Sequence, residues 1–77
     1  MNKRITVNPN IHFGKPCVTG TRIPTQDILE LVREGFSFEQ IVRDYYPGIE
    51  YEDIKACVQY AIDIITSEDI RISSEAA

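Results

Sequence analysis

The chain has few of the residues from which catalytic and metal sites are built. Its 77 residues include two cysteines, Cys17 and Cys57, with no CxxC spacing, and a single histidine, His12. A zinc site needs three or four ligands, and a nucleophilic centre needs a base and an orienting group. We therefore expect a protein that is not an enzyme and that holds no metal or cofactor. In a reducing cytosol both cysteines are expected to be buried thiols.

Long apolar runs are also missing. The apolar stretches are short, as at Ile64-Ile65, whereas a membrane-spanning helix needs about 20 apolar residues. Met1–Arg4 is followed by Ile-Thr-Val-Asn-Pro and not by the apolar region of a signal peptide. We therefore expect a cytoplasmic protein. A composition of 43% hydrophobic and 26% charged residues predicts one small folded domain over residues 1–77.

Acidic residues are absent from the first 25 positions. This segment carries a charge of +4, from Lys3, Arg4, Lys15 and Arg22, while the remainder has twelve acids against four cations and a charge of −8. A basic segment attracts phosphate or an acidic protein surface, and an acidic segment repels nucleic acid. The asymmetry suggests two faces for two partners. The alternative is that both are ordinary solvated surfaces.

Residues 1–25 are expected to form short β strands and turns. Glycine and proline interrupt three β-favouring runs, which are Ile5–Val7, Cys17–Thr19 and Thr21–Ile23. We expect two or three strands, with a turn at which Gly20 takes a positive φ. A hairpin this small is barely stable alone, so it must pack on the helices or pair with a second copy.

Three helices are predicted over residues 25–66, followed by a flexible tail over 67–77. Thr25 is the expected N-cap of the first helix, and Gly35 ends it. Ser37 and Gln40 form a capping box at the start of the second helix, which Tyr46-Pro47-Gly48 stops. The third helix is expected to begin near Glu50.

Apolar residues recur at helical spacing in all three helices. The predicted buried stripes are Ile28, Leu31 and Val32, then Phe38, Ile41, Val42 and Tyr45, then Ile54, Cys57, Val58, Ala61 and Ile65. Ile62 and Ile64 fall outside the last stripe. Together with Tyr60 they are candidates for a dimer or toxin interface. The small core and an exposed strand edge also predict a homodimer.

The second and third helices have the spacing of a helix-turn-helix, joined by Tyr46–Ile49. The residues that would meet DNA, however, are acidic: Glu50, Glu52 and Asp53. Phosphates would repel them. Any DNA contact is therefore expected from the basic segment, since a β-ribbon or an N-terminal arm can also enter a groove.

The string Gly14–Thr25, GKPCVTGTRIPT, resembles the signature of the small bacterial family called domain of unknown function 433 (DUF433). Glu34–Ile41 is similar to that family's G-x-S-x-E-x-I turn, and Tyr46–Ile54 to its Y-P-x-L-x-x-E-D-I stretch. The match covers residues 5 to about 62. Two departures are Glu50, where the family usually has Thr or Ser, and the tail beyond Thr66, which matches nothing.

The resemblance implies a mainly α, homeodomain-like tri-helical bundle, helix-turn-helix-like, preceded by a short β element. It also implies the antitoxin of a toxin–antitoxin pair, which neutralises a PIN-like ribonuclease and commonly represses its own operon as a dimer. Because a PIN-like active site is a carboxylate cluster holding a divalent metal, a guanidinium or ammonium can approach it.

Arg22, Lys15 and the Gly14–Thr21 backbone are accordingly expected to form the recognition surface, with Lys3 and Arg4 as further contacts. The opposite assignment places the basic residues on operator DNA and the apolar residues of the third helix on the toxin. Two other functions stay open, which are a stand-alone DNA-binding regulator and an adaptor without nucleic-acid binding.

Overall fold

A two-stranded antiparallel hairpin precedes three helices, which confirms the predicted mainly α fold with a short N-terminal β element. The computed structural model describes residues 2–76, and side chains are described through residue 67. Strand β1 spans Ile5–Val7 and strand β2 spans Pro16–Val18, with Ile5 opposite Val18. The hairpin packs against the helices, β2 on the first helix and β1 on the third.

The third predicted strand, Thr21–Ile23, is not a strand. Among the residues that the structure describes, a single bridge forms beyond the hairpin, between Cys17 and Pro24. It is accompanied by a hydrogen bond from the Val18 N–H to the Ile23 carbonyl at 3.0 Å. Pro24 has no N–H to donate, so the ladder cannot continue through it. The predicted turn before this run is confirmed, because Gly20 has a φ of +81°.

Helix α1 spans Thr25–Arg33. Its N-cap is Pro24 and not Thr25 as predicted, because the Thr25 side chain is turned into the core, where it is 3% exposed. Gly35 ends the helix as predicted, with a φ of +96°. Its N–H reaches the Val32 carbonyl, and the Phe36 N–H reaches the Leu31 carbonyl, which completes a Schellman motif.

Helix α2 spans Phe38–Gln40 and continues as a π-helical segment over Ile41–Tyr45. The predicted capping box is confirmed: Ser37 Oγ accepts the Gln40 N–H at 3.1 Å, and Gln40 Oε1 accepts the Ser37 N–H at 2.8 Å. The prediction that Tyr45 is buried is wrong, since it is 45% exposed. The wider π turn shifts it away from the buried stripe, and its ring packs edge-on against Phe36.

Helix α3 spans Tyr51–Ala76 and so runs past the predicted end at Thr66. All side chains of residues 62–67 are exposed, because the elements that pack on the earlier part of α3 do not cover them. Ile65, which was predicted to be buried, is 62% exposed for that reason. The predicted tail over 67–77 falls mostly on residues whose side chains are not described, and its flexibility stays a prediction.

The core lies where the hairpin and the helices meet. Its buried cluster contains Val18, Ile28, Ile41, Ile49, Ile54 and Cys57. Both cysteines are buried as free thiols and do not form a disulfide with each other. Burial raises the pKa of Cys57 to about 11. The nearby Thr25 hydroxyl offsets part of that rise in pKa, and this buried hydroxyl has no hydrogen-bond partner within the described part of the chain. Folding thus depends on a few aliphatic side chains.

Candidate binding surface

Arg4 ties the hairpin to the start of α3. Its guanidinium donates to Asp53 Oδ1 at 2.9 Å and to Glu50 Oε1 at 3.1 Å, and both pairs are salt bridges. The Asn2 side-chain amide donates to the Ala56 carbonyl at 2.8 Å beside them. These three bonds hold the chain just before β1 against the first turns of α3.

Arg4, predicted from the sequence to contact a partner or DNA, is thus engaged within its own chain, and its part in any partner contact stays a prediction. Hydrogen bonds to Asp53 and, second, to Glu50 raise the pKa of Arg4 above its ordinary value. The positive charge of Arg4 is thus balanced by carboxylates of its own chain. The second oxygen of Asp53 accepts the Glu50 N–H at 2.9 Å. The Asp53 carboxylate thus caps the helix, which explains how α3 begins without a Ser or Thr at position 50.

A surface cavity of about 420 Å³ lies beside the residues after β2, and we call it the Arg22 cavity. It is lined by Thr6, Asn8, Ile11, Cys17, Gly20, Thr21 and Arg22. Arg22 is exposed, and within the described side chains it forms no salt bridge, unlike Arg4, Arg33 and Arg43. The Thr21 hydroxyl is engaged internally, because it donates to the Val18 carbonyl at 2.8 Å and accepts the Ile23 N–H.

A second depression, the Tyr60 groove, runs between β1, α1 and α3. One part is lined by Lys15, Pro16, Pro24, Thr25, Gln26, Leu29, Tyr60, Ala61 and Ile64. The adjoining part shares Tyr60 and Ile64 and reaches Asn2, Ile5, Thr6, Val7, Asp63 and Ser67. Val7 and Ile64 are 56% and 44% exposed. The groove therefore has apolar walls with Lys15 at one end.

The structure regroups the predicted site residues. Lys15 lies with Tyr60 and Ile64 in the Tyr60 groove, whereas Arg22 and Thr21 line the Arg22 cavity. The single surface predicted for Lys15 and Arg22 is thus divided between two depressions. Ile62 is 47% exposed but does not line the groove. Lys3 is exposed, and its carbonyl accepts the Thr19 hydroxyl at 2.9 Å.

Phe13 was not among the residues predicted from the sequence to contact a partner. This side chain is 99% exposed, and its backbone has a φ of 56°. The available signal was an aromatic residue directly before Gly14, inside a segment rich in turn-forming residues. Such a position cannot bury its ring against the short strands on either side, so exposure could have been expected.

The helix-turn-helix spacing is present, but its charges stay unfavourable for DNA. Five residues, 46–50, separate α2 from α3. Arg4 offsets Glu50 and Asp53 at the start of α3, while Glu52 is exposed beside them. The nearest cation on α2, Arg43, is paired with Asp44 at 2.9 Å, and this bond lowers the pKa of Asp44. A DNA contact at the start of α3 would thus meet the exposed Glu52, and among the described residues of this helix only Lys55 is a cation without a salt bridge.

Among the residues described, no cluster of three or more metal-ligating side chains forms. Within the same residues, no helix combines the length and apolar character needed to cross a bilayer.

Comparison with protein families gives a match over residues 5–61, to the family described as protein of unknown function (DUF433). The matched region holds the hairpin, α1, α2 and the first part of α3. The chain belongs to the DUF433 family. This confirms the family predicted from the GKPCVTGTRIPT string and its later motifs.

Two other proteins are similar to this chain, one in sequence and one in structure. The uncharacterized protein y4eO of Sinorhizobium fredii is 35% identical over 57 residues, which are 74% of this chain and 25% of that protein. This chain therefore spans about a quarter of the length of its curated relative. The crystal structure of a DUF433 member protein from Anabaena variabilis matches 91% of this chain and 68% of its own, with a TM-score of 0.72 and 24% identity. That likeness supports the fold alone.

We predict that Arg4→Ala lowers the melting temperature more than Arg33→Ala. Arg4 joins two parts of the chain far apart in sequence and reaches Asp53, whose side chain is 13% exposed. Arg33 pairs only with its exposed neighbour Glu34, and such pairs contribute little. Thermal unfolding followed by circular dichroism tests this, and the difference between the variants should shrink as salt rises. Equal melting temperatures would show that Arg4 does not hold the hairpin.

Proposed function

We propose that this DUF433 protein is a non-enzymatic, antitoxin-like binding protein that neutralises a PIN-like ribonuclease toxin. The observation that carries the proposal is the state of the cations in the acid-free segment. Lys3, Lys15 and Arg22 form no salt bridge with the described residues of their own chain. A carboxylate-rich partner would supply the missing counter-charges.

Arg22 is the cation best suited to reach a carboxylate cluster. A guanidinium binds a carboxylate through two parallel hydrogen bonds, which an ammonium cannot do. Arg22 also follows the Gly20 turn, whose hydrogen bonds through Thr21 fix the backbone that carries it. Less conformational entropy is therefore lost on binding than for a cation at a chain terminus such as Lys3.

We predict that Arg22→Ala weakens binding to a PIN-like ribonuclease encoded next to this chain by about tenfold or more. That loss corresponds to about 1.4 kcal/mol, within the range for hydrogen bonds between charged groups. Calorimetric titration of the full chain with the purified ribonuclease measures it, and growth rescue on co-expression gives the cellular counterpart. Lys15→Ala, assayed in parallel, tests whether the Tyr60 groove takes part.

Arg33→Ala is the matched control, because it removes an exposed arginine from the acidic part of the chain. It should leave affinity and rescue unchanged. Equal losses of affinity for Arg22→Ala and Arg33→Ala would show that binding depends on net charge and not on a specific contact made by Arg22. Failure of the wild-type chain to bind or rescue, or the absence of such a neighbouring gene, would contradict the antitoxin function. Operator binding with a steep salt dependence that Arg22→Ala weakens would instead favour the DNA-binding regulator.

We further propose that the Tyr60 groove is covered by a second copy of the chain. Within the described hairpin, β1 pairs on one edge only, and its residues Ile5–Val7 line the groove. Two such edges can pair antiparallel about a two-fold axis, which brings each groove against its equivalent. Tyr60 and Ile64 would then lose their exposure to water.

A homodimer of this kind predicts different effects for two neighbouring isoleucines. Ile64→Glu should shift the chain to a monomer, because it places a carboxylate in the groove. Ile62→Glu is the control, since Ile62 has a similar exposure and does not line the groove. Sedimentation velocity at tens of micromolar distinguishes the two. A wild-type monomer, or equal behaviour of the two variants, would contradict this interface.

A further inference from the structure

The segment between the two strands is held in one conformation by its own hydrogen bonds. The Ile11 N–H donates to the Asn8 carbonyl at 2.9 Å, and the Asn10 N–H donates to the Asn8 side chain at 2.9 Å. The Gly14 N–H reaches the Ile11 carbonyl, and the Lys15 N–H reaches the His12 carbonyl, both at 3.1 Å. We call residues 8–14 the Phe13 loop.

The backbone conformation and the exposure of Phe13 are both energetically unfavourable for the folded chain when no partner is bound. His12, Phe13 and Gly14 have φ values of 49°, 56° and 84°, and a left-handed conformation is disfavoured for a bulky residue such as phenylalanine. The ring recovers nothing by packing, since it is 99% exposed. A large aromatic side chain is thus presented to solvent by a loop that would accept glycine or asparagine more readily.

The Phe13 loop forms one wall of the Arg22 cavity. Asn8 and Ile11 of the loop line that cavity opposite Thr21 and Arg22. Phe13 does not itself line the cavity, but its exposed ring belongs to the same loop as Asn8 and Ile11, and the guanidinium at that cavity has no counter-charge among the described side chains. This pairing resembles the centre of a protein interface, where aromatic residues and arginine carry most of the binding energy.

We propose that Phe13 is an apolar anchor that enters a pocket on an acidic protein, while Arg22 binds a carboxylate at the rim of that pocket. The proposal rests on the proposed function in taking the ribonuclease as that protein. Charge complementarity favours an acidic partner, because residues 1–25 contain no acid. A fixed loop also lowers the entropy lost on binding.

A duplex is a poorer match for the same ring. Side chains that wedge between base pairs lie between two rows of phosphates, which flanking lysines and arginines contact. Residues 8–14 contain neither lysine nor arginine. The loop itself would therefore bring an apolar residue into the groove with no cation of its own, and phosphate contacts would have to come from Lys15 or Arg22 outside it.

The first experiment places the photo-reactive analogue benzoylphenylalanine at position 13 of the full chain in cells. The control carries it at Ile62, which is exposed on α3 and lies outside both depressions. We expect position 13, and not position 62, to cross-link to an acidic protein that mass spectrometry identifies. Cross-links to DNA or to a second copy of the chain, or none at position 13, would overturn the proposal.

The second experiment titrates the captured and purified protein against wild type, Phe13→Asn and Phe13→Tyr. We expect Phe13→Asn to weaken binding about thirtyfold or more, as for an anchor residue, and Phe13→Tyr to retain affinity. The melting temperature of Phe13→Asn should be unchanged or higher, because asparagine tolerates the left-handed conformation. Unchanged affinity, or an affinity loss that accompanies a lower melting temperature, would overturn the anchor.

The outcomes also separate this inference from the antitoxin function. If Arg22→Ala abolishes growth rescue and Phe13→Asn does not, the antitoxin function is supported and the role of Phe13 as an anchor is contradicted. If Phe13→Asn loses affinity for an acidic protein that is not a nuclease, the anchor stands and the antitoxin function falls.

Discussion

The link between Arg4 and the two carboxylates at the start of α3 is the constraint on which the rest of the structure depends. Strands of three residues do not form a stable hairpin alone. Arg4, assisted by Asn2, holds β1 against α3, while Ile5 and Val18 pack onto the aliphatic core. The other oxygen of Asp53 caps α3, and the two carboxylates balance the charge of Arg4 at the surface. A single ion-pair network thus sets both the hairpin's position and the charge that remains for partners.

Arg22 and Lys15 lie in two different depressions and on opposite sides of β2 in the sequence. Arg22 follows β2 and lines a cavity walled by the Phe13 loop, whereas Lys15 precedes β2 and lies at the end of the Tyr60 groove. We assign the first to a partner protein and the second to a copy of the same chain. The first assignment keeps the acidic helices away from the partner protein, because no residue of α1, α2 or α3 lines the Arg22 cavity, and those helices would repel a carboxylate-rich surface.

Local rules predicted most of the fold. The capping box at Ser37, the left-handed glycines at positions 20 and 35 and the membership of DUF433 followed from short motifs. The predictions that failed concern features that depend on contacts between residues far apart in the sequence. Nothing near Arg4 in the sequence indicates that Asp53 lies within 2.9 Å, and Ile65 has the right spacing for burial but no element to cover it. Thr25 was expected to cap a helix because its neighbours permit it, yet it is buried against Cys57. The candidate residues were chosen by residue type, and only the fold shows that Arg22 and Lys15 lie in two separate depressions.

The central claim is that the acid-free segment, and not the helix-turn-helix face, is where this protein holds its partner. Amide hydrogen exchange of the full chain, measured alone and with its co-purified partner protein, tests this most directly. We expect amide hydrogen exchange to become slower over residues 8–22 when the partner binds, with little change at the start of α3. Slower exchange confined to residues 38–56, with residues 8–22 unaffected, would contradict it.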